Sequence, residues 1–160
     1  MKIYHFIYPK IIIFVLFLIS FAGLLSCKTE DNQRVPDVYV DFAINLSDPM
    51  FNDLSVAGNS VVVDASYAGS ASAGYDGHGI IVYRYSETEF FAFDRTCPFE
   101  EALDQAVILQ NTGDITPACP KCHSKYILPS YGYPTDDSPS RYPLRRYRTA
   151  FDGQIVHVYN

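Results

Sequence analysis

The stretch Ala118-Cys119-Pro120-Lys121-Cys122-His123-Ser124-Lys125-Tyr126 constrains this chain more than any other. Two cysteines separated by Pro-Lys can turn both sulfurs toward one point, which is how a short loop holds a soft metal ion or a cluster. A half-partner earlier in the chain, Arg95-Thr96-Cys97-Pro98-Phe99-Glu100, supplies a third thiol. The fourth cysteine, Cys27, closes an N-terminal apolar run and belongs to a different chemistry. Three thiols on two loops cannot all pair as intramolecular disulfides, and they fit metal ligation better.

Met1 to Lys10 carries Lys2 and Lys10 and no acid, and Ile11 to Leu25 is uncharged and mostly apolar. That run is shorter than the roughly 20 residues of a membrane span, so it reads as the apolar region of a signal peptide. It ends on Leu24-Leu25-Ser26-Cys27, which resembles the lipobox of bacterial lipoproteins. The resemblance implies that residues 1–26 are a cleaved leader and that Cys27 carries the acyl chains. It also implies that the mature chain is held in the bacterial cell envelope, on the periplasmic side or at the surface. Residues 27–35, polar and including Glu30 and Asp31, then form a tether, and residues 36–160 are enough for one domain and too few for two.

The chain carries 12 Lys and Arg against 18 Asp and Glu, a net charge of −6, and losing Lys2 and Lys10 with the leader makes it more acidic still. Such a balance argues against nucleic acid as a partner. The charge is uneven: Lys121, Lys125, Arg141, Arg145, Arg146 and Arg148 lie beyond Pro120, against Asp136, Asp137 and Asp152. This reads first as a solvated strand surface, with a docking face for an acidic partner as the alternative. No spaced nucleophile motif or carboxylate pair supports hydrolytic or transferase chemistry, and no small-molecule substrate site is indicated. Gly69 to Gly79 is rich in Gly, Ala and Ser, but no Gly-Lys-Ser/Thr follows it, so the expectation is a mobile loop rather than a phosphate cradle.

The remainder is patterned for strands. Val38, Val40, Phe42, Ile44 and Leu46 alternate onto one face, and Phe51 and Leu54 are spaced to anchor a short helical turn over Met50 to Ser55. Val61 to Val63 is a short strand. Ile80 to Tyr85 and Glu89 to Asp94 form a hairpin that delivers Cys97 at its far end, and Val107 to Gln110 is a further short strand. Tyr126 to Leu128 is extended, and Pro129 to Ser140 is a proline-bearing loop. Asp152-Gly153 turns a closing hairpin between Tyr147 to Phe151 and Gln154 to Tyr159. No segment sustains helical periodicity. With 13 Tyr, 11 Phe and no Trp, the core is aromatic and the domain mostly antiparallel β.

The succession Ala92-Phe93-Asp94-Arg95-Thr96-Cys97-Pro98, then Cys119-Pro120-Lys121-Cys122-His123-Ser124-Lys125-Tyr126, then Tyr131-Gly132-Tyr133-Pro134, Tyr142-Pro143-Leu144 and a closing hairpin resembles a Rieske iron-sulfur domain. The resemblance extends from about Ile80 to Asn160. It implies an all-β fold, a Rieske-like antiparallel β-sandwich. A small two-loop metal-binding subdomain over about 92–135, of the zinc-ribbon or rubredoxin kind, would hold a 2Fe-2S cluster. It also implies an electron carrier with a redox protein as partner, without independent catalytic activity. The family's first loop is a Cys-x-His box and its second a Cys-x-x-His-Gly-Ser-x-Phe/Tyr box. Here Phe99 stands at the first His position, Cys122 at the second, and His123 at the Gly.

Cys97 and Cys119 therefore carry over as thiolates, Cys122 replaces an imidazole, and both family histidines are lost. A cluster so held would be more reducing than a His-ligated Rieske centre. Glu100, aligned with Cys122 when the two loops are read as paired knuckles, or His123 is the expected fourth ligand. His78, in a distant loop, and His157, on a strand, are expected to be structural. Other chemistries compete for the same residues. Cys119-Pro120-Lys121-Cys122-His123 also matches a haem-attachment motif, although Tyr126-Ile127-Leu128-Pro129 does not continue as a helix. A dithiol redox pair lacks its βαβ context. A structural zinc site, or a fold that has lost its metal, gives instead a non-catalytic envelope lipoprotein.

Overall fold

The computed structural model describes residues 34–160. The leader expected over 1–26, Cys27 and the tether as far as residue 33 lie outside the described residues, among which no helix is long and apolar enough to cross a membrane. The strands in chain order are β1 (Asp41–Asn45), β2 (Ser60–Val63), β3 (Ile80–Arg84), β4 (Phe90–Asp94), β5 (Tyr126–Ile127), β6 (Tyr133–Pro134), β7 (Arg146–Phe151) and β8 (Ile155–Tyr159). Six of them make one antiparallel sheet in the order β1-β8-β7-β4-β3-β2, and β5 and β6 pair separately. The fold is all-β and antiparallel, as expected. The two layers of the sandwich are the two ends of this one sheet, curled so that Phe42, Ile44, Val156 and Val158 from one end share a core with Val63, Ile80, Val82, Phe90 and Ala92 from the other.

The β3–β4 hairpin positions the site because it is buried on both faces. Ile80, Val82, Phe90 and Ala92 enter the main core, while Ile81, Tyr83, Phe91 and Phe93 enter a second core with Cys97, Cys119, Tyr126, Leu128 and Leu144. Two-sided burial is why the hairpin reads as a continuous apolar run rather than an alternation. Each large side chain so buried contributes roughly 1.5–3 kcal/mol.

Everything from Arg95 to Arg145 is an insertion between β4 and β7, which are themselves neighbours: Asp94 N–H donates to Arg145 O at 2.8 Å, and Ala92 faces Tyr147. The second core is thus a small subdomain whose two ends are clamped together by the main sheet. Gly132 sits where this subdomain meets the hairpin; its φ is +72° and a Cβ there would come within 3.0 Å of the Phe93 ring.

The expected turn near Phe51 is present as a 3-10 segment over Pro49–Ser55 with Phe51 and Leu54 buried, its start capped by Asp48. Three segments differ from expectation, the first being the proline-bearing loop expected over Pro129 to Ser140, where Tyr133 and Pro134 pair with β5 as β6. Gly69 to Gly79, expected as a mobile loop, follows the short helix α1 (Ala65–Ala68) and holds two 3-10 turns, Ser70–Ser72 and Tyr75–Gly77. Buried polar contacts fix it: Tyr75 N–H donates to Asp94 at 2.7 Å, and Gly74, at φ +76°, comes so close that a Cβ would lie 2.8 Å from the same carboxylate. The strand expected over Val107 to Gln110 is reduced to single bridges, Ile108 to Ala118 and Ala106 to Thr96, because the knuckles it joins turn away on either side. At the other end, Val35 is buried and its carbonyl accepts from Arg145 at 2.9 Å, so the last tether residues dock on the domain.

Candidate metal centre

Cys97 is delivered by the end of β4. Asp94 Oδ1 accepts from Thr96 N–H at 2.8 Å, and Cys97 N–H donates to Gln105 O at 2.8 Å, which closes the first knuckle with its sulfur buried. In the second knuckle Cys119 N–H donates to Ser124 O at 2.9 Å and His123 N–H to Cys119 O at 3.0 Å. That ring forces His123 to φ +62°. The position where the resembled box has Gly is thus left-handed here and occupied by a His, a residue that tolerates this region better than most. The conformation costs an L residue roughly 1–2 kcal/mol, so His123→Gly is expected to raise stability by up to ~1 kcal/mol in thermal denaturation. Metal content of the same variant tests ligation: its loss would make His123 a ligand, and its retention would leave Glu100 or a group from outside the chain.

The three sulfurs of Cys97, Cys119 and Cys122 lie within 4.8 Å of one another, with Cys97 Sγ and Cys122 Sγ 3.5 Å apart. Cys97 and Cys119 are buried and Cys122 is half-buried, so access is from the Cys122 side. Among the described residues no His, Asp or Glu joins this group. The Glu100 side chain is 75% exposed and lies 3.7 Å from the Arg34 guanidinium. His123 is exposed on the turn. His78, distant in sequence, is close in space: its Nδ1 is 2.8 Å from Oγ1 of Thr96, the residue before Cys97, yet its ring points to that hydroxyl and not into the thiol group. His157 lies on β8 with Nε2 2.6 Å from Asp41 Oδ1.

Two side chains beyond the cysteines touch the sulfurs. Tyr126 Oη lies 3.2 Å from Cys97 Sγ, and Ser124 Oγ lies 3.1 Å from Cys122 Sγ while accepting from Ser140 N–H at 2.9 Å. Sequence reading places both residues in the second box without assigning them a role; their spacing from Cys122 is the signal that could have done so. Burial pushes the Cys97 thiol far up, against the opposing hydrogen bonds of Tyr126 and the Phe99 backbone. At Cys122 burial acts the same way, but the Ser124 hydroxyl and amide, with the neighbouring thiols, outweigh it and hold the group below its ordinary value. Burial, and then Cys97, raise Tyr126, which keeps it a neutral donor.

Cys122 is therefore the first of these two thiols to ionise and Cys97 the last, and a metal entering the group must displace protons. The apparent zinc affinity of the metal-free protein is expected to rise between about pH 6 and 9, by about tenfold per unit for each proton released. Competition titrations with a chromogenic chelator measure this. A flat profile would mean that the thiols are not the ligands.

The donor set fits a soft metal centre: three convergent sulfurs, two of them buried, with the Tyr126 and Ser124 hydroxyl groups in hydrogen-bond contact with sulfur. Among the described residues three thiols, and no fourth donor, come together. No protein-family model and no curated protein matches the chain. Among solved structures the chain is similar to the ferredoxin of carbazole 1,9a-dioxygenase from Nocardioides aromaticivorans IC177, at 19% identity and a TM-score of 0.42 over 76% of this chain and 97% of that one. It is also similar to the E. coli protein NirD, at 15% identity and a TM-score of 0.41 over 76% and 96% of the two chains.

Proposed function

We propose that this chain is a Rieske-like iron-sulfur protein that carries electrons, with Cys97, Cys119 and Cys122 as its thiolate ligands. The observation that supports the reading most directly is the convergence of three sulfurs from two knuckles within 4.8 Å, in a subdomain clamped between neighbouring strands. A 2Fe-2S cluster held there would supply one-electron transfer. The chain's own groups do the rest. The Tyr126 hydroxyl contacts the Cys97 sulfur, Ser124 Oγ accepts from the Cys122 thiol, Phe93 and Leu144 exclude water from the inner side, and half-buried Cys122 faces the approach of a partner. The fourth ligand comes from Glu100, from His123 or from outside the chain. Either residue requires its loop to turn on metal binding, and for Glu100 the contact with Arg34 must break.

The sequence supports an exported protein held in the bacterial envelope by lipid on Cys27, with a redox protein as its partner and no nucleic acid. A second reading rests on the same three-thiol count. Zinc is held by three protein ligands with solvent in the fourth position, or in a closed structural site once Glu100 or His123 supplies the fourth, and the protein is then a binding lipoprotein. Measuring iron, acid-labile sulfide and zinc in protein purified from iron-replete cells, with an EPR spectrum after reduction, separates the two. Iron with sulfide and a reduced-cluster signal supports the first. Stoichiometric zinc, or no metal, sinks it.

A further inference from the structure

Two basic residues of the last quarter, Arg146 and Arg148, share one exposed strand face. Most other arginines are satisfied inside the chain: Arg34 meets Glu100, Arg145 meets Asp37, Arg84 donates to the carbonyls of Leu54, Ser55, Ser86 and Glu87, and Arg95 to those of Val107 and His78. Arg146 and Arg148, which share the exposed face of β7, meet no carboxylate and donate no hydrogen bond among the described residues. Both line a groove of about 460 Å³, where Thr88, Thr149, Tyr159 and Glu89 complete the polar wall. On its other side Arg146 also walls a second concavity, of about 420 Å³, with Tyr131, Tyr133 and Pro143.

Arg146 is held in place without being neutralised. Its guanidinium carbon lies 5.0 Å from the centre of the Tyr131 ring and 5.9 Å from that of Phe91, and those two rings are 5.1 Å apart in a column that continues to Tyr85 at 4.8 Å. Aromatic faces fix a guanidinium while leaving its in-plane N–H donors free for a carboxylate. Exposed Tyr85, Tyr131 and Tyr133 around a pre-positioned Arg make the composition of a protein-binding hot spot. Two concavities sharing one arginine extend beyond the reach of a single small anion.

We propose that the face formed by Arg146, Arg148 and the Tyr131–Tyr133 loop is a docking surface for an acidic segment of a protein partner, which lays carboxylates against the two guanidinium groups and apolar side chains against the tyrosines. Glu89 is the repulsive element in the groove and sets where the partner's charges cannot fall. The inference is independent of what the thiols hold.

The test titrates the full chain, in zwitterionic detergent micelles, with a synthetic Glu-Gly repeat peptide carrying one Tyr, following the aromatic NMR resonances of Phe91 and Tyr131. Binding that shifts those resonances and weakens with salt is expected. Arg146→Gln combined with Arg148→Gln should weaken it by about tenfold or more, while Glu89→Gln tightens it and Lys125→Gln changes nothing. Arg146→Lys, which keeps the charge and loses the planar stack, should fall between wild type and Arg146→Gln. Absence of binding, or binding indifferent to the arginine changes, overturns the proposal. Displacement by inorganic phosphate at comparable concentration would make this a small-anion site. Displacement by phosphatidylglycerol added to the micelles would make it a lipid-facing surface, and either result overturns the protein-docking assignment.

Discussion

Cys119→Ser is expected to strip the protein of its metal. Cys119 is buried, lies in the second core, and contributes one of the three sulfurs that converge among the described residues. A serine oxygen there is a poor donor for zinc or an iron-sulfur cluster, since it is not ionised at neutral pH and is harder than thiolate. The affinity loss should exceed the roughly 10–100-fold typical of removing an outer hydrogen-bond partner. Tyr126→Phe sets that smaller scale in the same protein, because it deletes the hydroxyl 3.2 Å from Cys97 Sγ and spares every thiol. Metal analysis of the two variants side by side, with melting curves in the presence and absence of chelator, is the measurement. Full metal content in Cys119→Ser would show that the ligands lie elsewhere.

Asp94→Ala is expected to be the most damaging change away from the thiols. The carboxylate is fully buried, with no cationic side chain paired to it among the described residues. It accepts from Tyr75 N–H at 2.7 Å, Thr96 N–H at 2.8 Å and the Tyr147 hydroxyl at 2.7 Å. Burial first and then this carboxylate push Tyr147 well above its ordinary value, so it is a donor at neutral pH. Removing the acceptor leaves two buried donors and one part-buried donor unsatisfied, at roughly 1–3 kcal/mol for each buried one before relaxation. The expected loss is about 3–5 kcal/mol in denaturant unfolding, a large part of the stability of a domain this size. Asp94→Asn keeps one acceptor oxygen and should fall roughly midway. Because Thr96 N–H is one of the three donors, both changes should also loosen Cys97 and lower metal occupancy. A loss under ~1 kcal/mol for Asp94→Ala would mean that water replaces the carboxylate.

Much of this was legible before any fold was known, and the reason differs by segment. The β3–β4 hairpin announces itself because both faces are buried, so its apolar residues run without interruption. The closing hairpin is specified by Asp152-Gly153, where Gly153 takes φ +103° and the Asp152 carboxylate accepts from Gln154 and Ile155 N–H. In β1 the alternation of Phe42 and Ile44 with exposed neighbours matches the observed burial. All three are local signals, carried by residues a few positions apart. The same is true of Cys119 and Cys122, which one knuckle places together.

What stayed illegible depends on pairs far apart in sequence. Asp94 looks like any strand-end acid until Tyr75 and Tyr147 are brought to it from either side. His78 reads as part of a distant loop, yet it contacts Thr96 beside the site. Glu100 aligns with Cys122 when the knuckles are compared as strings, but its backbone turns into a 3-10 segment that carries the carboxylate out toward Arg34.

By itself, the sequence determined the strands of the main sheet, the two hairpin turns and which residues could be soft-metal donors, because backbone preference and side-chain chemistry are set by a residue and its near neighbours. Only the tertiary structure decided which donors meet. Clamping β4 against β7 brings Cys97 to Cys119 and Cys122, and the same packing that buries those sulfurs leaves Glu100 and His123 facing solvent.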